Sequence, residues 1–525
     1  MANASELNYD TSASALDMAN SIFGDGVTVL GASFSGDSRS SAIYSGGDAL
    51  APGTTPSDEG VILSTGFARS FTNSFGDANQ SGSTSTNTFG VNDDAQFNAL
   101  AGTRTLDAAI LEVDFIPDSD TLTMQFVFSS EEFPEFTTSQ FQDMVGVWVN
   151  GQPVQLAVGD GDIDPSNLSA LGNANLLTDN TPSVANTEMD AFTVTMTLKM
   201  DVVPGVQNSI RIGIADVTDS NYDSNLLIAG DSVQTALIAQ DDAFSITPDG
   251  ARTIDVLGND TGPSGSTLTI THINGQAVAA GDTVTLNTGQ QVTLNADGTF
   301  TVQADSDVED INFTYEVQES GSGITDVAFV SVSSIPCFLR GTAIRTPRGK
   351  VPVERLRAGD LVDTLDHGAQ PIRWIGRRAV PGQGRFAPVR VLAGTFGARH
   401  DLFVSPQHRL LICDPWSELM FGEREVLVAA RDLVNDRTVR QVESADEVEY
   451  FHVLFDAHQI VFSEGVPTES FHPGPQVASM FERRVLEEIC ALFPELDPET
   501  GEGYGATARL SLKSYEAGLL AARVV

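Results

Sequence analysis

From Gly26 to Val332 the apolar residues come in short runs or alternate with polar ones, and no helical spacer separates these segments. Leu122-Thr123-Met124-Gln125-Phe126-Val127-Phe128 and Phe192-Thr193-Val194-Thr195-Met196-Thr197-Leu198 alternate by side-chain face, while Val27-Thr28-Val29-Leu30 and Val61-Ile62-Leu63 are apolar stretches of strand length. Successive strand side chains point to opposite faces, so these segments predict half-buried strands joined by Gly/Ser/Asn/Asp-rich loops. Strands without intervening helices bury an apolar face only against another sheet, so residues 25–235 are expected to form an antiparallel two-sheet sandwich. Residues 240–336 repeat the theme on a smaller scale. There Val292-Thr293-Leu294-Asn295-Ala296-Asp297-Gly298-Thr299-Phe300-Thr301-Val302 reads as a strand, an Asp-Gly turn and a strand. The spacing of turn signals in this stretch predicts an Ig-like sandwich. Ahead of both, Ala15, Leu16, Met18, Ala19, Ile22 and Phe23 recur at helical spacing, which predicts an N-terminal helix or leader within residues 1–24. A mainly β protein follows.

Charge divides the chain in two. Residues 1–336 carry 45 acidic and 6 basic groups, a balance of −39, and residues 337–525 carry 26 and 22, a balance of −4, which together give the net −43. A field that negative repels phosphate backbones, so nucleic acid is not an expected partner. It offers hard oxygen ligands to Ca²⁺ instead. No run of apolar residues is long enough to span a bilayer, so no transmembrane segment is expected. The opening Met1-Ala2-Asn3-Ala4-Ser5-Glu6 lacks the basic and apolar regions of a classical signal peptide. An extracellular or cell-surface location, reached by a route without such a peptide, suits this acidic composition.

Two acidic stretches stand out in the first half: Ser129-Ser130-Glu131-Glu132-Phe133-Pro134-Glu135-Phe136, followed by Asp143, and Ala215-Asp216-Val217-Thr218-Asp219-Ser220-Asn221-Tyr222-Asp223. Glu131, Glu132, Asp143, Asp216, Asp219 and Asp223 are candidate Ca²⁺ ligands if their loops converge, because Ca²⁺ takes about 6–8 oxygens. The ordinary alternative, which spacing alone favours, is that they are solvated loops of an acidic protein. Asp160-Gly161-Asp162-Ile163-Asp164 begins like an EF-hand loop, but Pro165 and Leu171 occupy positions that motif cannot accept.

Residues with nucleophilic or acid–base chemistry gather after Pro336. All three cysteines, Cys337, Cys413 and Cys490, lie there, with six of the seven histidines. Cys337 follows the last Ig-like strand. Leu402-Phe403-Val404-Ser405-Pro406-Gln407-His408-Arg409-Leu410-Leu411-Ile412 predicts strand, tight turn and strand, and Tyr450 to Phe462, with His452 and His458, alternates as a strand. A cysteine with a distant histidine is the minimum kit for thiol nucleophilic catalysis. Zinc held by Cys337, His408, His452 and His458 is disfavoured, because no two of them sit at a short ligand spacing. Inert packing is the default for Cys413 and Cys490. In the tail, residues 473–525, Val477, Phe481, Val485, Ile489 and Phe493 recur at helical spacing, and Arg509 to Arg523 predicts a second helix.

These motifs carry resemblances. Phe126 to Phe136 with Phe141-Gln142-Asp143, Ile214 to Ser224 and Ser64-Thr65-Gly66 resemble the choice-of-anchor L domain of bacterial exported proteins. That resemblance implies a surface or secreted β-domain with no known enzyme chemistry, and it strengthens the metal reading of the acidic motifs. Val256-Leu257-Gly258-Asn259-Asp260 and the Asp297-Gly298-Thr299-Phe300 hairpin resemble bacterial cadherin-like or Ig-like repeats, here in one copy that serves as a spacer. Cys337-Phe338 with Gly341-Thr342, Val353-Glu354-Arg355-Leu356 with Gly359-Asp360, Ile372 to Arg378, Ser405 to Leu410, Phe421-Gly422-Glu423, Leu427 to Ala430 and Thr468 to His472 resemble the Hint (hedgehog/intein) module, in the form found in bacterial secreted proteins.

The Hint resemblance implies a horseshoe-like β-fold over residues 337–472 with the tail packed on it. It also implies single-turnover autoprocessing that needs no cofactor. Cys337 would attack the carbonyl of Pro336, giving an N–S acyl shift and a thioester. His408 would be the general acid at the amide nitrogen, Ser405 would stand at a threonine position, and His452 and His458 would assist thioester breakdown. No His-Asn pair followed by Cys, Ser or Thr ends the module, and no sterol-binding region matches, so neither splicing nor sterol transfer is expected. Water or a nucleophilic amine is the expected acceptor, with residues 1–336 released or attached. The competing reading is a non-cleaving, calcium-binding adhesin or structural surface protein, with an inactive Hint module and a cell-surface or matrix ligand.

Overall fold

The computed structural model describes the chain except residues 1, 138, 140, 160, 170–172, 247–250, 305–310, 334–337, 383–386, 436, 443–446, 473–492, 494–503, 505–506, 513–516, 518–519 and 521–525. Two compact units divide it, one of residues 1–242, 253–302 and 311–331, the other of residues 243–252, 303–310 and 332–525.

In the first unit the alternating segments pair as two antiparallel sheets. One runs Asn8–Asp10, Ser41–Ser45, Glu59–Ser64, Ser224–Ala229, Thr121–Ser130, Ala191–Thr193 and Leu177–Asp179, with Met196–Asp201 also on Thr121–Ser130. The other runs Val27–Ser35, Thr105–Pro117, Asn208–Val217, Met144–Val149 and Gln152–Pro153. Met124, Phe126 and Phe128 meet Leu111, Val113, Phe115, Ile210, Ile212 and Ile214 in the core. Alternation does not expose the other face of Thr121–Ser130, because Val127 packs with Ile62, Phe71, Phe192 and Leu227 in a second apolar cluster. Some of the polar residues trapped there are bonded: Gln234 Nε2 donates to Thr123 Oγ1 at 3.0 Å.

The predicted N-terminal helix spans Ala15–Ile22. Ser14 Oγ accepts the Asp17 N–H at 3.2 Å and Asp17 Oδ2 accepts the Ser14 N–H at 3.0 Å, a capping box that satisfies donors the first turn leaves free. Met18, Ala19 and Ile22 enter the sandwich core, and Asn8–Asp10 pairs with Ser41–Ser45. The first 24 residues, expected as an N-terminal helix or leader, thus hold a helix that packs into the sandwich core.

The Ig-like part holds Thr325–Ser333, Ile311–Glu319, Leu268–Ile273 and Gln276–Ala277 in one sheet, and Phe300–Gln303, Gln291–Leu294 and Thr283–Thr285 in another. Gly298 takes φ +88° in the predicted hairpin turn, a conformation its missing Cβ permits. His272 is an ordinary strand residue, its Nδ1 2.9 Å from Glu316.

The second unit is built on two further sheets. Trp374–Pro381, Glu447–Leu454, Phe338–Leu339, Leu402–Val404, Val389–Val391 and Val439–Gln441 form one. Gly349–Pro352, Ala343–Thr346, Ile460–Ser463, Val466–Glu469, Arg409–Cys413, Glu425–Ala429 and Leu510–Ser511 form the other, with Leu361–Thr364 and Gly368–Pro371 attached. Three expectations change here. The single strand predicted over 450–462 is two strands in different sheets, because the chain turns a corner at 455–459, where Asp456 is held by Arg373 at 2.6 Å. Leu510–Ser511, predicted as helix, pairs in parallel with Glu425–Ala429; that edge strand accepts the Leu512 N–H at Leu427 O, and Arg509 is anchored to Glu425 at 2.7 Å. Cys413, expected as core, is exposed at the end of its strand. The helix predicted from Val477 lies outside the described residues apart from buried Phe493, and so does Cys490.

Candidate active site

Pro336 and Cys337 lie outside the described residues, so the site is built from the described positions that follow them in sequence and from His408, His452 and His458. Phe338 is fully buried between two strands, opposite Val404 on one side and Phe451 on the other. Arg340 N–H donates to Glu449 O at 2.8 Å, and Thr342 Oγ1 donates to Phe403 O at 3.1 Å. The segment after residue 337 is thus fastened on both edges.

The Phe338 ring rests 4.4 Å, centroid to centroid, from the His408 imidazole. His408 sits in the turn between Leu402–Val404 and Arg409–Cys413. Its N–H donates to Ser405 O at 3.0 Å, its carbonyl accepts the Ala430 N–H at 3.0 Å, and Pro406 O accepts the Arg431 N–H at 2.9 Å. The turn is therefore rigid, and Ser405 is buried within it. His408 is buried, and neither ring nitrogen has a hydrogen-bond partner among the described residues. Burial foremost, then the charges of Arg409, His452 and His458, lower its pKa to about 3. Such an imidazole is neutral at pH 7 and, once protonated, gives its proton up readily to a nearby group.

His452 is also buried. It lies in Glu447–Leu454 one step beyond Phe451, the partner of Phe338, and meets Phe471 edge-on at 5.6 Å. His458 is placed differently, at the corner between sheets. Its Nδ1 accepts the Ala508 N–H at 2.9 Å and its Nε2 lies 3.1 Å from Ser470 O, so both nitrogens already hold backbone. Burial, then His472, lowers its pKa to about 3. Residue types and spacing did not distinguish the unpartnered His408 from the bonded His458. Phe338, which stacks on His408, was also missed as a site residue; its position beside Cys337 was the available signal.

The acidic candidates form a second constellation, in the first unit. Glu131, Glu132, Asp143, Asp216 and Asp223 are each at most 4% exposed, so the solvated-loop reading does not hold. Asp143 N–H donates to Glu132 Oε2 at 2.6 Å, and Thr65 Oγ1 lies 3.4 Å from Asp143 Oδ2. Burial is the first cause that raises the pKa of all five; it takes Glu131 and Glu132 to about 9 and Asp223 to about 6. Asp219 stays partly exposed and caps its own turn, accepting the Asn221 N–H at 3.0 Å. Thr65, in the Ser64-Thr65-Gly66 motif, stands beside these carboxylates, a neighbour that sequence spacing does not reveal.

Three family models match in succession: the choice-of-anchor L domain at residues 8–234, a bacterial Ig domain at 234–333 and the Hint domain at 336–475. Among solved structures, the gp41-1 intein is similar at 12% identity, with 26% of this chain and 98% of that one covered and a TM-score of 0.17. Extracellular domains 3–5 of Drosophila OTK are similar at 11% identity, covering 46% and 80%, with a TM-score of 0.15. An I-band fragment of titin is similar at 8% identity, covering 59% and 79%, with a TM-score of 0.15. No curated protein sequence matches the chain. No helix among the described residues is long and apolar enough to cross a membrane. The chain is a mainly β protein in which a choice-of-anchor L domain and a bacterial Ig domain precede a Hint domain.

Proposed function

We propose that this protein processes itself once, at Pro336–Cys337. The observation that carries the reading is the contact between Phe338, the residue after Cys337, and a buried His408 whose ring nitrogens are both unpartnered. The Cys337 sulfur attacks the Pro336 carbonyl carbon while neutral His408 takes the thiol proton. Imidazolium in that apolar setting is a strong acid, so it hands the proton to the Cys337 nitrogen as the C–N bond breaks. The product is a Pro336 thioester on Cys337. Water or an amine then attacks the thioester carbonyl and frees the thiol. Ser405 supports the turn that holds His408, and His452 is read as assisting the second step; His458 acts as a structural histidine at the sheet corner. The choice-of-anchor L module supports an extracellular or surface destination for residues 1–336.

The test is to express the full chain and follow it by gel and mass spectrometry, with and without added thiol or hydroxylamine. Fragments of residues 1–336 and 337–525 are expected. Cys337→Ala should abolish them, and His408→Ala should slow their appearance by about 10²–10⁴-fold, the usual share of general acid–base catalysis. A wild-type chain that stays whole under both treatments would overturn the reading.

A further inference from the structure

We propose that one end of the N-terminal sandwich binds a hard divalent cation of the Ca²⁺ class, through Glu131, Glu132, Asp143, Asp216 and Asp223. These residues come from both sheets. Glu131 and Glu132 follow Thr121–Ser130, Asp143 precedes Met144–Val149, Asp216 lies near the end of Asn208–Val217, and Asp223 precedes Ser224–Ala229. Folding therefore gathers, at the ends of four strands, carboxylates that lie up to 92 positions apart, counted from 131 to 223.

Unmet bonding capacity is the second, independent observation. Among the described residues, both oxygens of Glu131 and Oδ2 of Asp223 are buried without a partner at hydrogen-bond geometry, the Thr84 side chain lying near Glu131. Buried carboxylates are normally paired or coordinate a metal, since an isolated ionised one loses its hydration without compensation. The charged neighbours acting on these five groups are other carboxylates: Asp190 and Glu188 on Glu131, Asp216 on Glu132, Glu132 on Asp143, Asp143 on Asp216 and Asp107 on Asp223. A cation is the missing partner.

Backbone shape agrees. At Gly66 a Cβ would lie 1.9 Å from Asp223 Oδ2, so only glycine leaves room for that oxygen. Thr65 Oγ1, 3.4 Å from Asp143 Oδ2, adds a neutral oxygen of the kind Ca²⁺ accepts, whereas Mg²⁺ demands a smaller, stricter octahedron. Among the described residues no group of three carboxylate, imidazole or thiol side chains stands in a metal-holding arrangement, so a cation bound here has to draw these carboxylates together.

The test uses the full chain carrying Cys337→Ala, so that it stays whole, stripped of metal with EGTA in about 0.15 M salt, where surface charge is screened. Calorimetry and equilibrium dialysis are then run with CaCl₂ or MgCl₂. Ca²⁺ is expected to raise the melting temperature of the first unit by several degrees, and Mg²⁺ by less, because a ligand bound only by the native state stabilises it. Glu131→Gln and Asp223→Asn should each weaken Ca²⁺ binding by about tenfold or more and shrink the shift. Asp118→Asn, which alters an exposed carboxylate elsewhere, should leave both unchanged. If either site variant does not fold, the other decides. Absence of a Ca²⁺-dependent shift would overturn the proposal, as would an equal shift in the site variants, which would mark diffuse attraction to an acidic surface.

Discussion

His408 shows how far a single residue's role depends on what surrounds it. In the unfolded chain it titrates in the ordinary histidine range near 6.5; in the folded module burial takes it to about 3. Between those values the folded state holds fewer protons than the unfolded one. Its contribution to stability is therefore complete above about pH 6.5 and lost progressively as pH falls toward 3. In the Cys337→Ala chain, the melting temperature of the Hint unit is expected to fall between about pH 7.5 and about pH 5, and His408→Phe should flatten that fall. An unchanged slope in His408→Phe would assign the acid sensitivity to other groups. The identities of Cys337 and His408 were legible through their motifs. The neutrality of His408 was not, because desolvation comes from Phe338 and other neighbours remote from it in sequence.

At the level of elements, the two-residue strand Phe338–Leu339 has an importance its length does not suggest. It joins Leu402–Val404 to Glu447–Leu454 and seats Phe338 against His408. Phe338→Ala is expected to cost the Hint unit about 3–5 kcal/mol, the usual range for a buried phenylalanine. It should also slow cleavage although Cys337 is untouched; calorimetry and the gel assay check the two effects separately. Normal cleavage in a destabilised Phe338→Ala chain would show that the ring only packs. Alternation found most strands but misread 450–462, because the inward–outward pattern continues around a corner while the hydrogen-bond partners change. It also missed Leu510–Ser511, whose strand conformation comes from the edge it joins and from the Arg509 anchor.

For the molecule as a whole, the anchor and Ig domains share more than a linker. Phe329, on the Ig strand Thr325–Ser333, belongs to the sandwich's apolar core, and Gln125 Nε2 donates to Thr325 O at 2.7 Å. Phe329→Ala is expected to remove about 3–5 kcal/mol and to lower the melting of both domains together. Calorimetry in which only one domain shifts would refute that coupling. Composition and periodicity by themselves determined the mainly β class, the change from strongly acidic to near-balanced charge at Pro336 and the residue types available for thiol chemistry, because these depend on local alternation and on counts. Tertiary structure alone decided which acids leave water, which histidine is left unpartnered and which edge receives the chain near Leu510. The physical reason is that burial and hydrogen-bond satisfaction are set by neighbours distant in sequence, and the local pattern carries no record of them.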